Sequence, residues 1–166
     1  DSSLWSYLQN TVDSTVHYGG RSEVFYWKDS GAFHDTNDKA RIQGSAGWGK
    51  QGVAVSMMGS LPCTIHNGSI FDISCSPIIL EKSNDLAPVW CYCSSSEYNV
   101  SVRDIDQALK VTNATLVKVP FDEEYWTNVA KEQYPNGLPQ PFTNDPTQWI
   151  FHGHPCGSVI WDEDSK

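Results

Sequence analysis

Two histidines lie one residue apart in WIFHGHPCGSVIW, residues 149–161. In an extended chain His152 and His154 lie on one face, because side chains repeat with a period of two. Two imidazoles on one face can bind a divalent metal ion or move protons in catalysis. This pair therefore indicates one candidate function, a small secreted hydrolase that uses His152 and His154, with or without a divalent metal.

The surrounding sequence favours a structural role for the same motif. Gly153 and Pro155 interrupt the strand, so HGHPCG fits a bulge or turn that directs Cys156 toward a disulfide partner. The sequence contains neither H-E-x-x-H nor the C-x₂-C spacing of a zinc knuckle. We therefore predict no cofactor, and His152 and His154 are the metal or catalytic candidates. Any remaining metal ligands would come from His17, His34, His66, Asp35, Asp72 and the cysteines.

The cysteines and glycosylation sequons indicate an oxidising, secretory compartment. An odd number of cysteines leaves one thiol free, or paired with another chain, once four of them form disulfides. Cys63 would bond to Cys75 or to one of the pair in WCYC, and Cys156 would bond to the other. The five cysteines are Cys63, Cys75, Cys91, Cys93 and Cys156, and the three N-x-S/T acceptors are Asn67, Asn99 and Asn113, all expected at turns or element ends.

Charge argues against two classes of partner. The chain carries 20 acidic and 11 basic residues, for a formal net charge of -9, and has no Lys/Arg cluster. Because phosphate neutralisation drives nucleic-acid binding, this balance argues against nucleic acid as a partner. No apolar run reaches the length of a membrane span, so we predict no membrane insertion of this chain.

Hydrophobic periodicity predicts an α+β protein with a mixed or mainly antiparallel sheet and about three short helices, stabilised by disulfides. The helices are predicted at 3–13, at 101–112 with Asp104 as N-cap, and at 121–134. The strands are predicted at 15–20, 22–28, 69–75, 76–81, 88–94, 115–119, 147–151 and 156–161, with glycine-punctuated strand pieces over 40–59. Loops are predicted at 29–40 and 134–146. Length favours a single domain over 1–166 with a polar tail at 162–166.

The glycine-rich segment GSAGWGKQG places Gly47, Gly49 and Gly52 in G-x-G-x-x-G spacing. A dinucleotide fingerprint requires a strand before these glycines and a helix after them. The following QGVAVSMM is typical of a strand, so the sequence argues against a phosphate-binding loop.

Aromatic residues make up 12% of the chain and cluster in VFYW, VWCY and EEYW. Trp and Tyr are enriched at recognition surfaces, and the candidate binding residues are Trp27, Trp48, Trp90 and Tyr92. The preferred hypothesis is a secreted or ectodomain glycoprotein that acts by recognition, as a receptor-binding domain of a surface glycoprotein or as a secreted effector or toxin. Its partner would be a protein or glycan receptor on a cell surface, with a covalent partner through the fifth cysteine as a further option.

Overall fold

A computed structural model describes residues 4–35, 42–82 and 85–140, apart from the side chains of Phe33 and Asp35. These residues form an α+β fold with two small, mostly antiparallel sheets, as predicted. The elements are β1 (Trp5–Gln9), β2 (Glu23–Tyr26), α1 (Ala32–Asp35), β3 (Gln51–Ser56), β4 (Cys63–Asn67), β5 (Ile70–Phe71), β6 (Cys75–Ile79), α2 (Leu86–Cys93), α3 (Ser96–Ile105), α4 (Asn113–Leu116) and α5 (Glu123–Gln133).

The two sheets each contain three strands and are linked by a short turn. The first sheet has the order β2-β1-β5, in which β1 pairs antiparallel with β2 and parallel with β5. The second sheet has the order β4-β3-β6, and both of its pairs are antiparallel. Because β5 and β6 are separated by only three residues, the turn at 72–74 holds the edge of the first sheet beside the second.

The central strand β3 is buried on both faces, and its two faces differ in chemistry. Val53 and Val55 are fully buried in the hydrophobic core, opposite Ile65 and Cys63 of β4. Alternate positions are small or polar: Gly52 and Ala54 lie opposite His66 and Thr64, and Ser56 continues this face. Since side chains alternate along a strand, the sheet separates an apolar layer from a polar one.

The apolar layer packs against the helices. Helix α2 contacts both β3 and α5. The buried aromatic rings direct their polar atoms to acceptors: the Trp90 indole N–H donates to the Tyr134 hydroxyl at 3.1 Å, and the Tyr98 hydroxyl donates to the carbonyl of Leu116 at 3.0 Å. A buried polar atom without a partner destabilises the fold, so these hydrogen bonds allow Trp90 and Tyr98 to be buried in the core.

The polar layer binds the segment that connects β1 to β2. The Ser56 hydroxyl accepts from the N–H of Val12 at 3.0 Å, and the Thr64 hydroxyl accepts from the N–H of Gly19 at 2.9 Å. The predicted strand at 15–20 has no strand assignment. Its backbone nevertheless bonds to β4, from Val16 N–H to the Cys63 carbonyl at 3.1 Å and from Ile65 N–H to the His17 carbonyl at 2.9 Å.

Two element predictions with strong apolar patterns are wrong. The helix predicted at 3–13 is strand β1, since Trp5 and Tyr7 pair with Tyr26 and Val24 across the first sheet. The strand predicted at 88–94 belongs to helix α2. A short apolar run is compatible with either element, and a helix buried on several sides loses its amphipathic pattern.

Two further element predictions are wrong, and in both cases a capping side chain fixes the start of the observed helix. The helix predicted at 101–112 begins at Ser96 and ends at Ile105, because the Ser95 hydroxyl accepts from the N–H of Tyr98. The strand predicted at 115–119 overlaps helix α4, which Thr112 caps through the N–H of Thr115.

Several other predictions are confirmed. The helix predicted at 121–134 is α5, capped by Asp122 at the N–H of Tyr125. Strand β6 lies within the segment predicted as SPIILE and its preceding cysteine, and β2 lies within 22–28.

The predicted loop at 29–40 instead contains a 3-10 turn and the one-turn helix α1. The strands predicted at 147–151 and 156–161 lie outside the described residues.

The four described cysteines are buried free thiols, so the predicted disulfide stabilisation is unsupported in this part of the chain. The sheet register also argues against a Cys63–Cys75 bond, because Cys63 lies opposite Val55 while Cys75 lies opposite Ser56, on the other face. Cys91 and Cys93 lie in a helix, so they do not share a face as a strand would require. Cys156 lies outside the described residues.

Burial should keep three of these thiols unreactive in the folded protein. Burial raises the pKa of Cys63 and of Cys75 to about 12, and burial together with nearby Cys63 raises the pKa of Cys93 well above its ordinary value. Because the thiolate is the nucleophile, iodoacetamide should leave these three residues unmodified at mildly alkaline pH until the protein is unfolded. Peptide mapping by mass spectrometry, with and without denaturing guanidinium, measures this protection.

A sample purified without reductant provides the control. Cysteines that stay unmodified in guanidinium but react after reduction would be disulfide-bonded, which would contradict the free thiols. Rapid alkylation of Cys63 in the folded protein would contradict its burial in the core.

Candidate binding cleft

A cleft of about 370 Å³ opens beside the first sheet, where β1, β2 and β5 meet the loop that precedes β3. It lies away from the helical core, and most of its lining is aromatic or aliphatic. The residues that line it are Leu8, Phe25, Trp27, His34, Ile42, Gln43, Trp48, Ile70, Phe71, Asp72 and Ile73.

The strand register explains why several of these side chains converge. Leu8 lies opposite Ile70 in the parallel pair, and Ser6, two residues earlier on the same face, lies opposite Phe25. Directly paired residues project from the same face of a sheet. The three strands therefore direct Leu8, Phe25 and Ile70 to one side, which becomes the floor of the cleft.

Two tryptophans form perpendicular walls. The rings of Trp27 and Trp48 are 5.2 Å apart between centroids, with their planes at 88°. His34 stacks on Trp27 at 6.0 Å and lies 4.9 Å from Phe25. The His34 ring is held in place because its Nε2–H donates to the carbonyl of Tyr26 at 2.8 Å. These contacts give the aromatic side chains a fixed arrangement before any ligand arrives.

Glycines allow the rings to lie close to the backbone. A Cβ at Gly31 would lie 2.8 Å from the Trp27 ring, and Gly31 also has a φ of +85°, which favours glycine. A Cβ at Gly44 would overlap the Phe71 ring, and one at Gly47 would lie 3.2 Å from it. Of the three glycines in G-x-G-x-x-G spacing, Gly47 therefore serves here to seat an aromatic ring.

A buried histidine anchors the loop that carries Trp48. His66 is fully buried, and its Nε2–H donates to the carbonyl of Gly47 at 3.4 Å, while its Nδ1 has no hydrogen-bond partner among the residues that the structure describes. Its ring also packs edge-to-face on Phe71 at 5.8 Å. In the loop that carries Trp48, the N–H of Gly49 donates to the carbonyl of Gly68 at 2.8 Å. His66 thus positions two walls of the cleft from beneath.

The described residues that line the cleft include few polar groups and one carboxylate. Asp72 is half-buried, and its Oδ1 accepts from the N–H of Ser74 at 2.8 Å. Within the described part of the chain, its second oxygen, Oδ2, makes no hydrogen bond. None of the described lining residues is Lys or Arg. The cleft therefore combines aromatic surfaces with a single negative charge at its edge.

The four predicted binding residues divide into two pairs. Trp27 and Trp48 line the cleft, whereas Trp90 and Tyr92 are 2% and 3% exposed and lie in the core. The prediction that Trp90 and Tyr92 lie at a binding surface is therefore wrong, since both belong to α2 and are covered by neighbouring elements. The sequence prediction missed Phe25, Phe71 and Asp72. Phe25 lies in the predicted cluster VFYW, but Phe71 and Asp72 carry no comparable signal.

The metal and catalytic candidates are not located by the structure. His152 and His154 lie outside the described residues. Across residues 4–35, 42–82 and 85–140, no group of three or more His, Cys, Asp or Glu side chains could hold a metal ion. In the same ranges, no helix has the length and apolar character that crossing a bilayer requires.

No family model matches this chain, and no curated protein does. Its function therefore has to be inferred from the residues of the cleft.

The anchor beneath the cleft should make stability depend on pH. Burial, together with nearby Arg21, lowers the pKa of His66 from 6.5 to about 4, although its bond to the Gly47 carbonyl opposes this. As the pH falls below 6.5 the unfolded chain takes up this proton first, so the contribution of His66 to stability is complete above that pH. It is lost progressively down to about pH 4, by up to about 3 kcal/mol.

Urea denaturation at about pH 7 and pH 4.5 of the wild type and the His66→Gln variant measures this loss. The substitution itself changes the free energy of unfolding at the higher pH, where the wild-type ring is neutral. The comparison therefore uses only the change in free energy of unfolding that each protein shows between the two pH values. The wild type should lose more free energy of unfolding than the variant. Equal losses in both proteins would show that His66 does not titrate as its burial requires.

Proposed function

We propose that the protein acts by recognition, as a secreted or ectodomain glycoprotein that binds a protein or glycan receptor on a cell surface through this cleft. The observation that carries the proposal is the pair of perpendicular tryptophans, Trp27 and Trp48, in an open cleft. Small-ligand sites are typically concave and largely apolar, with a few polar groups that fix orientation, and this cleft has that composition.

The mouth of the cleft supports a larger partner than a free small molecule. Ile73 is 75% exposed and Phe25 is 39% exposed, and both line the cleft. Large apolar side chains grouped around an opening are typical of interaction sites, because a partner that covers them gains hydrophobic free energy. A receptor group that enters the cleft and lies against the two tryptophans would bring the partner's surface onto Phe25 and Ile73.

Rigid aromatic side chains suit this role energetically. Tryptophan contributes a large contact area with only two side-chain torsions, so little conformational entropy is lost on binding. Trp27 is already fixed by His34 and by its approach to Gly31. Such preorganisation lowers the ordering cost of association, which favours recognition over a loose apolar surface.

Two sequons are compatible with a secreted glycoprotein, and the third is not. Asn67 ends β4 and Asn113 begins α4, and both are exposed. Asn99, in contrast, lies inside helix α3 rather than at an element end, and its Nδ2 is buried. Since a glycan is attached at Nδ2, the folded helix has no room for one at Asn99.

Binding to cells tests the proposal. Fluorescently labelled protein should bind saturably to a panel of cultured animal, plant and yeast cells in at least one case. The Trp48→Leu variant should weaken that binding by about 10-fold or more, since central aromatic residues dominate interface energies. The matched control is Tyr125→Leu, which removes an exposed aromatic ring from α5, away from the cleft.

Thermal unfolding of each variant shows whether it retains the fold. Pretreating the cells with protease or with glycosidases identifies the receptor as a protein or a glycan. If Trp48→Leu leaves saturable binding unchanged while Tyr125→Leu abolishes it, recognition takes place outside the cleft. If the protein binds saturably to no cell type, receptor recognition itself is contradicted.

Glycan mapping provides a separate prediction. When the chain is made in a secretory eukaryotic host, Asn67 and Asn113 should carry glycans and Asn99 should not. Intact-mass measurement before and after enzymatic deglycosylation should give two occupied sites, and Asn67→Gln and Asn113→Gln should each remove one. Occupancy at Asn99 would contradict the burial of its amide, and three empty sites would contradict the glycoprotein.

A further inference from the structure

We infer that the group bound in the cleft, against the contacting rings of Trp27 and Trp48, is an alkylated ammonium cation, such as a trimethylammonium head group. This inference rests on the proposed recognition function and names the chemistry that the cleft selects. A phosphocholine head group and a trimethyllysine side chain share this chemistry, and the experiment below distinguishes them.

The arrangement of the rings is the first observation. A cation is attracted to the negative face of an aromatic ring, and quaternary ammonium groups are recognised by cages of several rings set at angles to one another. Trp27 and Trp48 are perpendicular, and Phe25 is tilted by 52° from Trp27 at 6.1 Å. Phe71 completes the aromatic lining from β5. A compact ion in the cleft would therefore contact rings from several directions.

The charge at the cleft is the second observation. Asp72 places a carboxylate in the lining, with Oδ1 bound to the backbone of Ser74 and Oδ2 without a hydrogen bond in the described part of the chain. The described lining contains no Lys or Arg to compete for it. The ammonium of Lys110 donates to the carbonyl of the lining residue Ile73 at 3.0 Å. The chain as a whole carries a formal charge of -9, which adds attraction for a cation.

The character of the polar groups disfavours a neutral sugar. A sugar ring needs several hydrogen-bond partners that converge on its hydroxyls. Here His34 already donates Nε2–H to Tyr26, and Asp72, whose Oδ1 accepts from Ser74, offers a sugar only its Oδ2. A trimethylammonium group needs no hydrogen bond, because its methyl groups carry the charge against aromatic faces. The cleft volume of about 370 Å³ suits a head group rather than an extended chain.

Direct titration tests the inference on the full chain. The probes are tetramethylammonium chloride, phosphocholine, a trimethyllysine peptide and 3,3-dimethylbutanol, which is the neutral isostere of choline. Nitrogen–proton NMR spectra at constant ionic strength follow the indole N–H signals of Trp27 and Trp48. Tetramethylammonium should shift both signals saturably, and 3,3-dimethylbutanol should bind at least about 5-fold more weakly, as the loss of cation–π attraction implies.

Two variants separate charge from shape. Asp72→Asn should weaken tetramethylammonium binding by about 3- to 10-fold and leave 3,3-dimethylbutanol unchanged, because only the cation senses the lost carboxylate. Trp48→Leu should weaken both probes. The matched control is Asp104→Asn, which removes one exposed carboxylate from α3 and should have no effect. Tighter binding of phosphocholine or of the peptide then identifies the source of the ammonium group.

The outcomes distinguish this inference from the proposed function. Equal or tighter binding of 3,3-dimethylbutanol would overturn the cation, while leaving an apolar recognition cleft. Binding of neutral methyl glycosides in place of tetramethylammonium would overturn it in favour of a glycan. If no probe shifts the indole signals, the cation is also overturned, and the cell-binding measurements alone then decide whether the cleft acts in recognition.

Discussion

The burial of β3 on both faces is the constraint on which the rest of the structure depends. One face must be apolar enough to hold the helices, and the other must be small and polar enough to bond to the chain between β1 and β2. Val53 and Val55 serve the first requirement. On the other face Gly52 and Ala54 are small, and Ser56 supplies the hydrogen bonds to Val12. A Cβ at Gly52 would overlap the carbonyl of Ile78, so even the smallest side chain is excluded there. Helical core and cleft are thus built from opposite sides of a single strand.

The sequence predicts elements well where local and long-range preferences agree. Helix α5 has a capping aspartate, acids in its first turn and Lys131 in its last, so every local signal favours the observed helix. The segment 88–94 is different, because β-branched and aromatic residues favour a strand, yet packing against β3 and α5 selects a helix. The segment 3–13 fails in the opposite direction. Its helical spacing is overridden by pairing with β2, a contact that no local pattern reveals.

The cleft was only half predictable for the same physical reason. Aromatic composition pointed to Trp27 and Trp48, but it equally pointed to Trp90 and Tyr92, and composition cannot distinguish a ring at a surface from a ring in a core. Phe71 and the neighbouring Asp72 enter the cleft through the parallel pairing of β5 with β1, which joins residues about sixty positions apart. The glycines of the loop before β3 form a visible pattern in the sequence. Their role, which is to let the Phe71 ring lie against the backbone, follows only from the structure.

The contact of Gly44 and Gly47 with Phe71 also bears on how this cleft can diverge. Because a ring of fixed size lies against bare backbone, the dimensions of the cavity are set by three positions that cannot change independently. A methyl group at Gly47 would push the ring toward the opening and narrow the cleft, while a smaller residue at position 71 would leave room to fill behind it. Homologous cleft shapes would then differ through correlated replacements at these positions, with Trp27 and Trp48 retained. Ligand preference in such a lineage would be adjusted in part from behind Phe71, at the two glycine positions that do not line the cleft.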